Sequence, residues 1–233
     1  MPVIDLNADL GEGFGAWELT DDDALLQVVT SANVACGFHA GDPARLRSVL
    51  ALAADRGVAV GAQVSYRDLA GFGRRFMDVS YDELVGDVLY QVGALQGLTA
   101  GLGVEVSYVK PHGALYHACS THPEQGWAVA SAAAVLDLPV LAAAGSPFLS
   151  ALGERGVPEV FADRAYQEDG SLVPRGQPGA VLSDVDEICA QAVRLAGSAR
   201  SICVHGDTPG AVAMARRVRE VLTASGFTVA AFT

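Results

Sequence analysis

Residues 31–57, SANVACGFHAGDPARLRSVLALAADRG, contain one complete strand-and-helix unit. The run at 31–36 is short and mostly apolar, as expected of a strand that is buried on both faces of a sheet. Asp42 and Pro43 then supply a capping side chain and a proline suited to the first turn of a helix. Apolar residues follow at helical spacing as far as Gly57, a residue typical of a helix C-terminus. The stretch therefore predicts a β-strand joined to a helix by a short loop.

The same pattern recurs along the whole chain. Further short apolar runs lie at 3–8, 58–64, 106–110, 139–144, 158–163 and 201–205. Signals for helix starts occur at Thr20, Asp42, Ser80, Thr121, Ser146, Ser183 and Thr208. Seven or eight such units without a break in composition predict an α/β fold with a single β/α barrel domain over residues 1–233, and a doubly wound open sheet is the alternative. The final TVAAF, 228–232, is either an eighth strand or a closing extension.

Two connections, 66–79 and 165–182, are longer than usual for a compact domain. Loops of this length are commonly lids or binding loops. We therefore expect both segments to border a site.

Composition excludes several classes of protein. Hydrophobic residues make up 51% of the 233 residues, so the chain can bury a sizeable core. The net charge of −12 argues against nucleic acid and anionic membranes as partners. No apolar run is long enough to span a membrane, and the acidic start MPVIDLNADL does not resemble a signal peptide, so we expect a cytoplasmic protein. The cysteines have no CxxC spacing and are predicted to be reduced core residues: Cys36, Cys119, Cys189 and Cys203.

Three of the five histidines follow a predicted strand and lie within two residues of a glycine. They are His39 in FHAG, His112 in PHG and His205 in VHG. The carboxyl ends of parallel strands meet at the same edge of a barrel, and this is the edge where barrel active sites lie. Three histidines at equivalent positions therefore predict a functional site.

Other polar residues fall at the same predicted edge. The only asparagines, Asn7 and Asn33, lie late in the first two strands. Asp9 and Glu12 follow Asn7, and Asp207 follows the histidine of the last strand. We therefore expect carboxylates and amides beside the imidazoles.

Lys110 is the only lysine in the chain, whereas the other fourteen basic side chains are arginines. An arginine is a poor substitute where a compact, titratable ammonium group is needed. Side chains two residues apart in a strand face the same side, so Lys110 and His112 are expected to reach the same ligand.

Six stretches, taken in order, resemble one known family. They are DLNADLGEGFG (5–15), SANVACGFHAGDP (31–43), DLAGFGRR (68–75), VKPHGALY (109–116), EVFADRAYQEDGSLVPR (159–175) and CVHGDTPGA (203–211). The sequence resembles the LamB/YcsF family, whose members form the A subunit of prokaryotic 5-oxoprolinase. The resemblance implies an irregular seven-stranded β/α barrel similar to the glycoside hydrolase/deacetylase superfamily. It also implies ATP-dependent opening of 5-oxoproline to glutamate, together with two partner subunits, B and C.

The resemblance bears on metal binding as well. Deacetylase-type barrels hold a divalent metal with one aspartate and two histidines, and Asp9 and His39 are the candidates for two of these ligands. The family commonly has a histidine at the end of strand three, where this chain has Gln63. A glutamine is a poor zinc ligand and offers at most a carbonyl oxygen to a hard cation. Whether a metal is bound stays open at this point.

The resemblance and the residue chemistry together suggest roles in ring opening. The catalytic candidates are Lys110, His112, Asp9, His205 and Asp207. Lys110 is expected to neutralise the substrate carboxylate or the developing oxyanion. His112 or His205 is expected to activate water, with Asp207 or Asp9 orienting the imidazole. The candidates for substrate binding are Asn7, Glu12, Asn33, His39, Arg74 and Arg75, with the two arginines directed at phosphate oxygens.

Two alternatives remain open. One is a metal-dependent deacetylase or amide hydrolase of the same superfamily, and the other is a protein that binds the substrate for its partners without acting on it. The chain has no GxxxxGK[ST] loop, so ATP is bound either by an unfamiliar pocket or mainly by the partner subunits.

Overall fold

A computed structural model describes residues 1–207 and 210–233. Within these ranges the strands are β1 (Val3–Leu10), β2 (Ser31–Ala35), β3 (Ala59–Val64), β4 (Val106–Pro111), β5 (Val140–Ala143), β6 (Gly156–Phe161), β7 (Ser201–Val204) and β8 (Thr228–Val229). The helices are α1 (Asp22–Leu26), α2 (Pro43–Arg56), α3 (Tyr81–Thr99), α4 (Gly113–Thr121), α5 (Pro123–Val135), α6 (Pro147–Leu152), α7 (Val185–Ala196) and α8 (Ala211–Ala224). The predicted alternation of strands and helices is thus confirmed.

Seven parallel strands close into a barrel. β1 pairs with β2, where Asn7 lies opposite Ser31, and it also pairs with β7, where Asn7 lies opposite Cys203. The remaining neighbours follow chain order from β2 to β7. The closed ring confirms the barrel and excludes the open sheet. The final stretch forms β8, which pairs only with the start of β1 at Val3 and Ile4 and lies outside the ring.

The barrel is irregular on the side of β4. The register between β3 and β4 shifts at Val60 and Gly61. A side chain at Gly61 would place its Cβ 2.0 Å from the ring of Tyr108, so only glycine lets this buried ring pack against β3. The pairing of β4 with β5 is also short, with Val109 opposite Val140 as its one registered pair.

Several predicted helix starts are confirmed. The Asp42 side chain accepts hydrogen bonds from two backbone N–H groups of α2, and Ser146 does the same once for α6. Ser80 precedes α3, and its hydroxyl donates to the carboxylate of Glu83. Thr208 lies outside the described residues.

Three other predicted starts are wrong. Asp21 caps α1 in place of Thr20, and Asp184 caps α7 in place of Ser183. In both cases a carboxylate one residue later accepts the backbone N–H bonds, so the hydroxyl is not needed as a cap. Thr121 is the last residue of α4 and does not begin α5.

The helices cover the outside of the barrel and bury their apolar faces against it. In α2 these residues include Leu46, Val49 and Leu50. Within the described residues, none of the helices has the length and apolar character needed to cross a membrane.

The inside of the barrel is unusually polar. Asp5, Asn7, Asn33 and Glu159 are all at most 1% exposed. Buried polar groups of this kind are retained only when they are hydrogen-bonded, so this interior must form a connected network. All four cysteines are buried and unpaired, as predicted.

Candidate active site

A cavity of about 580 Å³ opens at the carboxyl ends of the strands. The residues that the barrel contributes to its wall include Asp9, Lys110, His112 and His205. The loop at 66–79 adds Arg74 and Phe76, and the loop at 165–182 adds Leu172, Pro174 and Arg175. The strand-end residues therefore converge as expected, and both long loops border the cavity. Such a volume falls within the range of small-molecule sites.

His205 is held by a carboxylate from the neighbouring strand. Its Nδ1 lies 2.9 and 3.0 Å from the two carboxylate oxygens of Asp163, and its backbone N–H donates to the same carboxylate. Because Nδ1–H donates to Asp163, Nε2 is left for the cavity. Burial alone would lower the pKa of His205, but the attraction of Asp163 raises that pKa above its ordinary value.

Asp163 therefore has the orienting role that was expected of Asp207 or Asp9. Asp207 instead forms ion pairs with Arg74 at 2.8 Å and with Arg175 at 3.6 Å. The reason is geometric, because the carboxylate of Asp163 follows the adjacent β6 and lies at the depth of the imidazole.

Asp9 lies opposite an ammonium group. Lys110 Nζ is 3.4 Å from Asp9 Oδ1 and 2.9 Å from Glu159 Oε1. Burial alone would raise the pKa of Asp9, but Lys110, His205 and His112 together lower it below its ordinary value. Asp9 is therefore a carboxylate at neutral pH.

Lys110 is itself fully engaged by protein atoms. Besides Glu159, its Nζ contacts Cys203 Sγ at 3.0 Å and Asn7 Oδ1 at 3.1 Å. These three acceptors match the three protons of an ammonium group. Burial favours a neutral amine, yet Asp9 and Glu159 raise the pKa of Lys110 well above its ordinary value. The geometry therefore makes Lys110 a group that positions Asp9, rather than one that is free to bind substrate.

The two asparagines belong to the same network and do not line the cavity. The amide nitrogen of Asn33 donates to Asn7 at 2.7 Å and to Asp9 at 2.9 Å, and its oxygen accepts from Tyr108. The amide nitrogen of Asn7 donates to Glu159 at 2.9 Å. Because the donors and acceptors of both amides are engaged within the barrel, the expected contact with substrate is not supported.

A second cluster lies beside the first. Glu12, His39 and His112 offer one ligand atom each, and these atoms lie within 4.8 Å of one another. This is a group that could hold a divalent cation. Asp9, expected as a ligand together with His39, is not a member of the group and faces Lys110 instead.

His112 is held within this cluster. Its Nδ1 lies 3.0 Å from Gln63 Nε2, and its Nε2 lies 3.1 Å from the carbonyl oxygen of Phe72. Burial, followed by the neighbouring His39, lowers the pKa of His112 well below its ordinary value. Both ring nitrogens thus have protein partners, and the expected role of His112 as the base that activates water is not supported.

The arginine pair of the 66–79 loop divides into two roles. Arg74 lines the cavity, whereas Arg75 Nε donates to Asp68 at 3.0 Å within the loop itself. A second arginine, Arg175, reaches the cavity from the other long loop. The cavity mouth therefore carries Arg74 and Arg175, and Arg75 stabilises the loop.

Two functional residues, Glu159 and Asp163, are not among those that the sequence analysis identifies. Both lie in PEVFAD at 158–163, a run predicted only to be a buried strand. An acidic residue in such a run is a signal that could have identified them, because a buried carboxylate needs a partner.

The sequence profile of the LamB/YcsF family matches residues 4–233. The chain belongs to the LamB/YcsF family. It is 57% identical to a protein of Mycolicibacterium gilvum (strain PYR-GCK) that is named as the A subunit of 5-oxoprolinase, in an alignment of 251 residues that covers all of both chains. It is 55% identical over the same coverage to the protein with that name in Mycobacterium leprae (strain Br4923).

The fold is shared with solved structures. A lactam utilization protein from Thermus thermophilus is 39% identical, with a TM-score of 0.92 over 99% of this chain and 100% of that one. A family 4 carbohydrate esterase from Streptomyces lividans gives a TM-score of 0.56 at 16% identity, over 100% of this chain and 93% of that one. The second likeness shows that the family shares its barrel with deacetylase-like proteins.

Proposed function

We propose that this chain is the A subunit of a 5-oxoprolinase, a hydrolase that opens the cyclic amide of 5-oxoproline to give L-glutamate. Its relatives carry that name over their full length, and the name implies a multi-subunit enzyme. Coupling to ATP, the B and C partner subunits and a cytoplasmic location belong to the proposal. The observation that carries it is the placement of Asp9 and the His205–Asp163 pair at the wall of the same cavity.

The two groups have complementary protonation states. The pKa of Asp9 is lowered by its charged neighbours despite burial, and the pKa of His205 is raised by Asp163 despite burial. Titratable groups whose environments move their pKa values apart are suited to act as base and acid. Asp9 would accept a proton from water as it attacks the ring carbonyl carbon. His205 would donate a proton to the ring nitrogen as the carbon–nitrogen bond breaks.

The remaining residues position these groups and bind anions. Lys110 and Asn33 hold Asp9 in place through Asp9 Oδ1. Arg74 and Arg175 border the cavity and would bind the substrate carboxylate or a phosphoryl group, because guanidinium groups recognise both. The cavity is larger than a single lactam ring fills, which leaves room for a substrate activated by phosphorylation.

ATP coupling has a chemical reason. The lactam is a stable amide that forms readily from glutamate, so opening it needs an energy source. Phosphorylation of the amide oxygen would supply that energy. Whether this chain or a partner binds the nucleotide can be tested by titrating ATP into the isolated chain and into the assembled complex.

The decisive experiment is reconstitution. The purified chain is mixed with candidate B and C subunits, ATP and 5-oxoproline, and glutamate is measured while each component is omitted in turn. We expect glutamate only in the complete mixture and at least about 100-fold less with Asp9→Asn or His205→Gln, as is typical when a general acid or base is lost. Arg75→Ala is the control and should keep most of the activity, because Arg75 contacts Asp68 rather than the cavity.

Two results would refute the proposal. One is glutamate formation at the full rate without this chain. The other is near wild-type turnover by both variants, each shown to be folded by circular dichroism.

A further inference from the structure

The side-chain amide of Gln63 lies among the three residues of the Glu12–His39–His112 cluster. Gln63 Nε2 is 3.1 Å from Glu12 Oε1 and 3.0 Å from His112 Nδ1. Gln63 Oε1 is 3.2 Å from His39 Nε2. All four side chains are at most 6% exposed. One amide therefore contacts a potential ligand atom of each of the three residues.

The hydrogen bonds define where the protons lie. An amide nitrogen can only donate, so Gln63 Nε2 gives one proton to Glu12 and one to His112 Nδ1. His112 must then have its proton on Nε2, where the carbonyl oxygen of Phe72 accepts it. Gln63 Oε1 can only accept, so His39 has a proton on Nε2. Each hydrogen bond in this set agrees with the others.

A bound metal would conflict with this set. The cation would need the lone pairs of His39 Nε2 and His112 Nδ1, and the first of these atoms carries a proton while the second accepts one from Gln63. Binding through His39 Nε2 would also move the proton of His39 to Nδ1. Within residues 1–207 and 210–233, no hydrogen-bonding partner reaches that buried Nδ1. Metal-binding histidines almost always donate their other N–H to a partner.

We propose that the amide of Gln63 takes the place of a metal ion in the Glu12–His39–His112 cluster and fixes the proton of His112 on Nε2. The cluster then has a mechanical role. His112, at the end of β4, is tied through Phe72 to the 66–79 loop that carries Arg74. His39 and His112 are stacked with their ring centroids 4.0 Å apart, which stabilises the same junction. Gln63 is thus a positioning residue for the cavity wall.

The first test uses the wild-type chain. Selective ¹⁵N labelling of histidine leaves only five imidazoles to assign. We expect His112 to show the Nε2–H tautomer, and titration with Co²⁺ or Zn²⁺ alone to leave the His39 and His112 resonances unchanged. An Nδ1–H tautomer of His112, or one equivalent of metal that shifts both sets of resonances, would overturn the proposal.

The second test converts the amide into a ligand. Gln63→Glu has the same shape, cannot donate to His112 and places a second carboxylate beside Glu12, so a cation would relieve their repulsion. We expect this variant to bind Co²⁺ at least about tenfold more tightly than the wild type, with both histidines perturbed, a factor typical of changes around metal sites. Gln91→Glu, another glutamine that is 0% exposed, is the matched control and should show no gain. Binding by Gln63→Glu that is no tighter than wild type would show that the amide is not what excludes the metal.

Discussion

The strongest prediction concerns the stability of Lys110→Met. Lys110 Nζ lies 2.9 Å from Glu159 Oε1 and 3.4 Å from Asp9 Oδ1, and all three side chains are buried. At an effective dielectric constant of about 20, each attraction is about 5 to 6 kcal/mol, although the cost of burying three charges offsets much of it. Methionine fills similar space without a charge and leaves two buried carboxylates without their cation.

The expected loss can be placed on a measurable scale. Removal of one partner from a buried ion pair typically costs about 3 to 5 kcal/mol. For a chain of this size, that corresponds to a fall in melting temperature of about 6 to 20 °C. The assay is thermal and urea unfolding at neutral pH, followed by circular dichroism. The sequence alone leads to a different expectation, because it assigns Lys110 a role only toward substrate and thus no role in folding.

The dependence on pH gives a second check of the same prediction. In the wild type the pKa of Asp9 is lowered, so Asp9 contributes stability above its unfolded pKa of about 3.9 and loses it as pH falls through the folded pKa. Without Lys110, burial should raise that pKa above the unfolded value. The charged carboxylate then destabilises the variant at neutral pH, and the deficit should shrink as the pH is lowered toward about 5.

A matched double variant completes the test. Lys110→Met combined with Glu159→Gln removes the cation and one of the two carboxylates, so it should lose less stability than Lys110→Met alone. Our reasoning is refuted if Lys110→Met unfolds within about 1 kcal/mol of the wild type at neutral pH, a change within reach of ordinary surface substitutions.

Further predictions concern a histidine pair and a glycine. Asp163→Asn should lower the pKa of His205, because burial then acts without the opposing carboxylate, and kcat should fall by about 10² to 10⁴ with the pH–rate profile displaced to lower pH. The raised pKa of His205 stabilises the fold below its unfolded pKa of about 6.5, and this stability is lost as pH rises through the folded pKa, so the stability deficit of Asp163→Asn should be larger at pH 6 than at pH 9. Gly61→Ala should destabilise the chain by at least about 1 to 3 kcal/mol in urea unfolding, because its Cβ would lie 2.0 Å from the buried Tyr108 ring. An unchanged profile for the first variant, or wild-type stability for the second, would contradict these assignments.

The architecture was predictable from local patterns. Short apolar runs, capping side chains before prolines and glycines at helix ends are read within a few residues of each other, and they identified all seven barrel strands. The same alternation placed His39, His112 and His205 at one edge, where the structure brings His112 and His205 to one cavity and His39 into stacking contact with His112. Caps were less certain, since neighbouring hydroxyl and carboxylate groups compete for the same backbone N–H groups.

The roles within the site were not predictable in this way. His205 was expected to pair with Asp207, two residues away, whereas its partner Asp163 lies 42 residues away in the chain. Lys110 was expected to be available to substrate, whereas Glu159, Asn7 and Cys203 engage its protons.

The sequence by itself determined which residue types lie at the carboxyl edge of the barrel, because strand periodicity and chain order specify that edge. Only the tertiary structure decided which of them keep a free atom for chemistry. That depends on distances of about 3 Å between side chains on different strands, where one further acceptor completes the hydrogen bonds of an ammonium group or an imidazole. The register of the closed barrel sets those distances, and no local pattern in the chain encodes that register.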